Sequence, residues 1–288
     1  MMSLGQPAAW LLAAAYISLS MAPQAKAADT EVRANRMQVE YYPPSDPAHQ
    51  MLYDMLKERR ALEKLQAIFG PFRLPIDLTL RTVPCNGISN AWWQRPYVSV
   101  CYEYLAEILR SMPKETTAEG VTPSDAVIGQ FFYVFAHEMG HAMFEMLDVP
   151  VFGNAEDAAD HFAVFLMLKF EKNEARGLIA GSAYSYRKYV QGSEVSAPLV
   201  AFSDAHSAPA QRYFNLLCLA YGSDTDMYGD FVANGHLPQG RANSCKREYN
   251  QVAFAFLKSI RPHVDQDLAK QASEREWFPD IDSEIAKK

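Results

Sequence analysis

The chain lacks a surplus of basic residues. Its 288 residues carry 27 Lys+Arg against 34 Asp+Glu, a net charge of −7, so it has no general cationic surface for a phosphate backbone, and nucleic acid is excluded as a partner. A long hydrophobic run is missing too. The most apolar stretch, residues 8–21, holds fourteen uncharged residues, short of the roughly 20 that cross a bilayer as a helix. There is no internal repeat and no low-complexity tract, which excludes solenoids and fibrous arrays. Cysteine is scarce, and Cys85, Cys101, Cys218 and Cys245 lack the C-x-x-C spacing of a thiolate zinc site. What the chain does have is core material, 49% hydrophobic and 12% aromatic residues, enough to fold without a metal or crosslink as a staple.

The run at 8–21 followed by Ala25-Lys26-Ala27 has the length and the small-x-small ending of a signal peptide. Residues 1–27 are therefore expected to be removed on export, leaving a periplasmic or secreted protein with no stable membrane anchor. In an oxidising compartment four cysteines read as two disulfides. Of the three connectivities, Cys85–Cys101 and Cys218–Cys245 close the shortest loops and keep each bridge within one half of the chain.

Residues 28–46, ending in Tyr41-Tyr42-Pro43-Pro44-Ser45-Asp46, read as a polar linker, with one catalytic domain over 47–263 and a charged, peripheral tail over 264–288. Apolar spacing predicts a helix over 47–69, stopped by Gly70-Pro71. Leu74, Ile76, Leu78 and Leu80 alternate with polar residues or Pro75, the period of a strand, and a second strand is expected over 97–102. Thr122-Pro123-Ser124-Asp125 opens a helix running to about Leu147. Asn154 caps the next, over 155–172, whose apolar middle belongs at the domain centre. Further helices are expected near 175–192, 208–221 and 240–262.

The first central helix contains His137-Glu138-Met139-Gly140-His141. Two histidines at i and i+4 share a face and can both reach one zinc ion, while Glu138, one residue round, can reach a zinc-bound water as general base. A third ligand is required. Leu147 and Phe144 stand where the metzincin pattern would need other residues, so that subclass is excluded. Glu156 opens the second helix with Asp160 one turn later, so Glu156 can bind zinc while Asp160 fixes a ligand imidazole. Asp157 is placed to cap that helix and His161 to be a core histidine; Glu145 reads equally as a group behind the ligands or as a solvated acid.

His137-Glu138-x-x-His141 followed by Glu156-x-x-x-Asp160 resembles the gluzincin metallopeptidases. More narrowly, Cys85, Asn90-Ala91, Cys101-Tyr102-Glu103, the His137 motif, Gly153-x-x-Glu156-Asp157-x-Ala159-Asp160 and residues 211–218 resemble a bacterial domain-of-unknown-function family of metallopeptidases, over about residues 40–260. The resemblance implies a zincin-like α+β fold, with a small N-terminal sheet on the active-site helix and a mainly helical C-terminal half. Asn90-Ala91-Trp92-Trp93 is similar to the edge-strand segment of thermolysin-like enzymes, which implies that Asn90 and Ala91 hold an extended polypeptide substrate. A group facing the zinc should stabilise the oxyanion; His206 ranks first, ahead of Arg212, Tyr213 and His236. The expectation is a monomeric zinc peptidase. The alternatives are a non-catalytic zinc-containing polypeptide-binding protein and a zinc hydrolase of a non-peptide, cell-wall amide.

Overall fold

The computed structural model describes residues 32–191 and 202–278, so the expected signal segment at 1–27 lies outside the described residues. Four short strands make one sheet: β1 (Met37–Tyr41), β2 (Leu78–Val83), β3 (Ala91–Gln94) and β4 (Tyr97–Cys101). Their order is β1-β2-β4-β3, with β1, β2 and β4 parallel and β3 antiparallel to β4 at the edge. The remainder is mainly helical, an α+β fold.

Between β1 and β2 lie α1 (Gln50–Glu58) and α2 (Ala61–Phe69), and β4 runs directly into α3 (Tyr102–Ser111). The single helix expected over 47–69 is broken because Arg60 takes a left-handed φ of 51°, a conformation that cannot propagate a helix. The strand expected from Leu74 begins only at Leu78. Pro75 has no N–H for a ladder, its carbonyl is taken by Arg36, and Leu74 makes only an isolated bridge to Arg33.

The polar linker expected over 28–46 instead contains β1, whose Met37 is buried and whose Tyr41 hydroxyl donates to Glu63 and accepts from the Leu62 N–H. The described part of the tail expected over 264–288, up to Phe278, also packs. It forms α10 (Gln266–Ser273) and buries Trp277, whose backbone N–H donates to Glu174.

The centre of the molecule is α4 (Pro123–Met146), followed by α5 (Ala155–Met167), α6 (Lys172–Tyr186), α7 (Pro209–Ser223) and α9 (Gln239–Ser259), with the one-turn α8 (Asp230–Ala233) between the last two. Helix α4 starts where expected, with a reciprocal capping box between Thr122 and Asp125. Its apolar residues are buried around most of its circumference, because the sheet, α3, α5 and α6 all pack on it. Helix α6 can cross α4 closely only because residue 181 is glycine: a Cβ there would meet the Asp125 carbonyl oxygen at 1.7 Å.

Both disulfides pair as the short loops require. Cys85–Cys101 joins the loop after β2 to the end of β4, and Cys218–Cys245 joins α7 to α9. No helix among the described residues is long and apolar enough to cross a membrane.

Candidate metal centre

Helix α4 presents His137 and His141 on one face, and the turn after it returns the chain so that α5 begins beside them. Asn154 caps α5 by accepting from the Glu156 N–H at 2.8 Å, which fixes the first turn that carries Glu156. The close approach of the helices depends on Gly140, inside the motif. A Cβ at that position would stand 3.1 Å from the Ala159 Cα and 3.3 Å from Phe162, so only a residue without a side chain fits without displacement.

Three ligand atoms converge. His137 Nε2 lies 3.0 Å from Glu156 Oε2, and His141 Nε2 lies 3.2 Å from each of them. Ligands about 2.0–2.1 Å from one tetrahedral metal ion stand roughly 3.3 Å apart, so the spacing and the two-nitrogen, one-carboxylate donor set fit zinc. The charge distribution agrees with that of a cation site. The hydrogen bond from His137 leads the causes that hold Glu156 down at about 2, while burial and the neighbouring His137 lower the pKa of His141.

Behind His137 the arrangement continues in depth. Its Nδ1 is paired with Asp160 Oδ1 at 2.7 Å, which turns Nε2 towards the cluster, as a carboxylate–histidine pair should. Arg212 on α7 then grips Asp160 with both arms of its guanidinium, Nε to Oδ2 and Nη2 to Oδ1, each at 2.7 Å. Its face lies over Tyr133 and Tyr186. Burial alone would raise the Asp160 pKa, but the His137 and Arg212 contacts win and hold it well below the usual range.

Glu138 is buried beside the cluster without joining it. Burial pushes its carboxyl up to about 7, against the pull of His137, with Glu156 adding to the rise and the Trp93 backbone N–H opposing it. That contact places β3 next to Glu138. Edge strand β3 begins at Ala91, the Asn90 carbonyl accepts from the Cys101 N–H, and the indole of Trp93 donates to Glu145 at 2.6 Å. Glu145, which also lies 3.6 Å from Arg95, thus ties the edge strand to α4.

His206 reaches the centre from the segment before α7. Its Nε2 lies 2.9 Å from Glu156 Oε2, and its ring stacks on that of His137 at 5.9 Å between centroids. The ligand atoms of His137, Glu156 and His206 all lie within 4.8 Å of one another. Asp204 orients it, accepting from the His206 backbone N–H at 2.8 Å and from Nδ1 at 3.1 Å. Asn154, besides capping α5, donates to the Ala205 carbonyl at 2.6 Å and so fastens this segment to the helix that carries Glu156.

Other candidates fall elsewhere. Tyr213 and His236 line a separate cavity with Arg176 and Asp230, and Arg212 is engaged behind His137 rather than opposite it. Asn154 supplies the N-cap of α5, and Asp157 Oδ1 is buried with no hydrogen-bond partner among the described residues. His161 is partly buried and outside the cluster. The part played by Arg212 behind Asp160 was not readable from spacing; the available signal was that an aspartate buried beside a candidate ligand histidine needs a counter-charge.

One known family, DUF4344, described as "Putative metallopeptidase", matches residues 41–258, a span that contains β2, β3, β4 and every residue of the cluster. No curated protein and no solved structure matches the chain. The HExxH helix, the returning carboxylate and the matched span agree, and the chain belongs to the DUF4344 metallopeptidase family.

Proposed function

We propose that the protein is a zinc-dependent peptidase, exported to the periplasm or secreted, in which His137, His141 and Glu156 hold the ion and Glu138 is the general base. The reading is carried by the convergence of His137 Nε2, His141 Nε2 and Glu156 Oε2 at 3.0–3.2 Å from one another. Zinc bound by this set supplies a Lewis acid that polarises the scissile carbonyl and brings the pKa of water towards 7. Asp160 keeps His137 in the tautomer that presents Nε2. Glu138, in its dry position, takes a proton from the attacking water and passes it to the leaving amine.

The substrate lies along the free edge of β3, where the Ala91 backbone pairs with it and the Asn90 side chain contacts it, a mode that accepts polypeptide by main-chain pairing. His206, aligned by Asp204, donates to the oxygen that becomes negative as the carbonyl is attacked. The two disulfides and the N-terminal pattern support export.

The test is hydrolysis of a diverse peptide mixture by purified protein with zinc, with chelator, and as Glu138→Gln. Cleavage that needs zinc and is lost in Glu138→Gln, with zinc content unchanged, is expected. Zinc-independent cleavage, or full activity of Glu138→Gln, overturns the assignment.

A further inference from the structure

Next to the metal centre is a groove of about 650 Å³. One wall is α3, with Tyr104, Glu107 and Arg110, and the other is the end of α6 and the following turn, with Tyr184 to Tyr189; Gln130 and Arg212 also line it. It adjoins the centre at three points. Arg212 is the residue fixed to Asp160 behind His137. Gln130 stands two turns before His137 on α4 and donates to the Tyr104 hydroxyl at 2.7 Å. Glu107 accepts from Ser89 Oγ at 2.7 Å, the residue just before Asn90 at the head of the edge strand.

The charge in this groove runs against that of the chain. In a protein of net charge −7, the lining holds Arg110, Arg187, Lys188 and Arg212 against the single acid Glu107. Arg212 is committed to Asp160, and Arg187 lies 3.1 Å from Glu119. The other two are held loosely or not at all. Arg110 comes no nearer to Glu107 than 3.8 Å, with both side chains more than half exposed. Lys188 sits 5.0 Å over the Tyr189 ring and has no carboxylate partner among the described residues. An exposed cation is usually a solvated surface group, but two of them lining a tyrosine-walled groove face a partly enclosed space, where a charge discriminates more strongly than on open surface.

We infer that this groove is a subsite for acidic segments of the polypeptide substrate. Asp or Glu side chains near the scissile bond lay their methylenes against Tyr104, Tyr184 and Tyr189 and bring their carboxylates to Arg110 and Lys188. The inference rests on the peptidase reading and names its substrate class.

The experiment compares matched peptides that carry Glu, Gln or Lys at the positions flanking the cleavage site. The expected kcat/KM is about tenfold higher for Glu than for Lys with Gln between, and the ratio should shrink between about 50 and 500 mM NaCl as the charges are screened. The variant Arg110→Glu/Lys188→Glu, altered only at exposed side chains, should abolish or reverse the preference. A second arm measures fluorescence anisotropy of a labelled Glu-rich peptide and its Gln analogue with the metal-free protein, at low and high salt. Equal cleavage of the three peptides together with equal binding overturns the groove and leaves the peptidase reading intact. Acid-selective binding lost in the double variant, without cleavage of any peptide, keeps the groove and overturns the peptidase reading. Neither cleavage nor selective binding overturns both.

Discussion

Arg212 holds both carboxylate oxygens of Asp160 at 2.7 Å while His137 donates to one of them at the same distance. His137 is therefore the outer end of a relay whose inner end is a nearly buried cation. Removing the cation leaves a carboxylate inside the protein without its partner, whereas removing both charges leaves neither unpaired. Arg212→Met should weaken zinc affinity by about tenfold to a hundredfold, the usual range for partners behind a ligand, and should lower Tm. Arg212→Met/Asp160→Asn should recover most of the Tm but not the affinity. Chelator competition and thermal melts check this, and unchanged zinc affinity in Arg212→Met would refute the relay.

Asp204 is exposed and touches no proposed zinc ligand except through His206, so its substitution isolates the alignment of that ring. Asp204→Asn should lower kcat about tenfold with KM and zinc content nearly unchanged, as for a group acting only as charge develops. Steady-state kinetics decide; a change confined to KM would place His206 in ground-state binding instead.

In the metal-free protein His137 is raised from 6.5 to about 9: burial opposes its charge, but hydrogen bonds to Asp160 and Glu156 outweigh burial. The folded state thus binds this proton more tightly than the unfolded chain, and the resulting stability is complete below pH 6.5 and lost as pH rises through 9. The Tm of chelated protein should fall across that interval. Zinc-loaded protein, whose His137 is already neutral, should not show this contribution. A flat Tm in chelated protein from pH 6.5 to 9 contradicts the expectation.

Gly140→Ala adds a methyl 3.1 Å from the Ala159 Cα, tight enough to push α5 outward by a few tenths of an ångström. Because Glu156 is on α5, the cost should appear in zinc affinity as well as in Tm. Gly181→Ala, whose new Cβ would overlap the Asp125 carbonyl oxygen at 1.7 Å, should be far more destabilising. Melting curves and metal titration of the pair give the comparison, and equal effects would contradict this packing argument.

Much of the centre could be read in advance because its residues repeat at helical spacing. His137 and His141 differ by four positions, as do Glu156 and Asp160, and Asn154 marks where the second pair begins. Arg212 and Asp160 meet across 52 residues, and no local periodicity encodes such a contact. Strand β1 did carry a signal: Met37, Val39 and Tyr41 alternate with Gln38 and Glu40, the period of a strand. The run is only five residues long and lies between Asn35 and Pro43-Pro44, so the turn-forming flanks mask it and only its pairing with β2 reveals it. The break at Arg60 was unreadable because nothing about arginine announces a left-handed backbone.

The reach of Arg212 also bears on how the molecule assembles. Helices α4 and α5 form a hairpin that contains both histidines, Glu156 and Asp160, so these four residues can meet early and cheaply. Closing the separate 52-residue loop from Asp160 to Arg212 costs only about 0.7 kcal/mol more in loop entropy than closing the 23 residues between His137 and Asp160. Yet the hairpin cannot dehydrate Asp160 until α7 delivers its guanidinium. Final closure of the metal centre and docking of the C-terminal half are thereby one cooperative event, and a chain cut before α7 would hold these ligands only loosely.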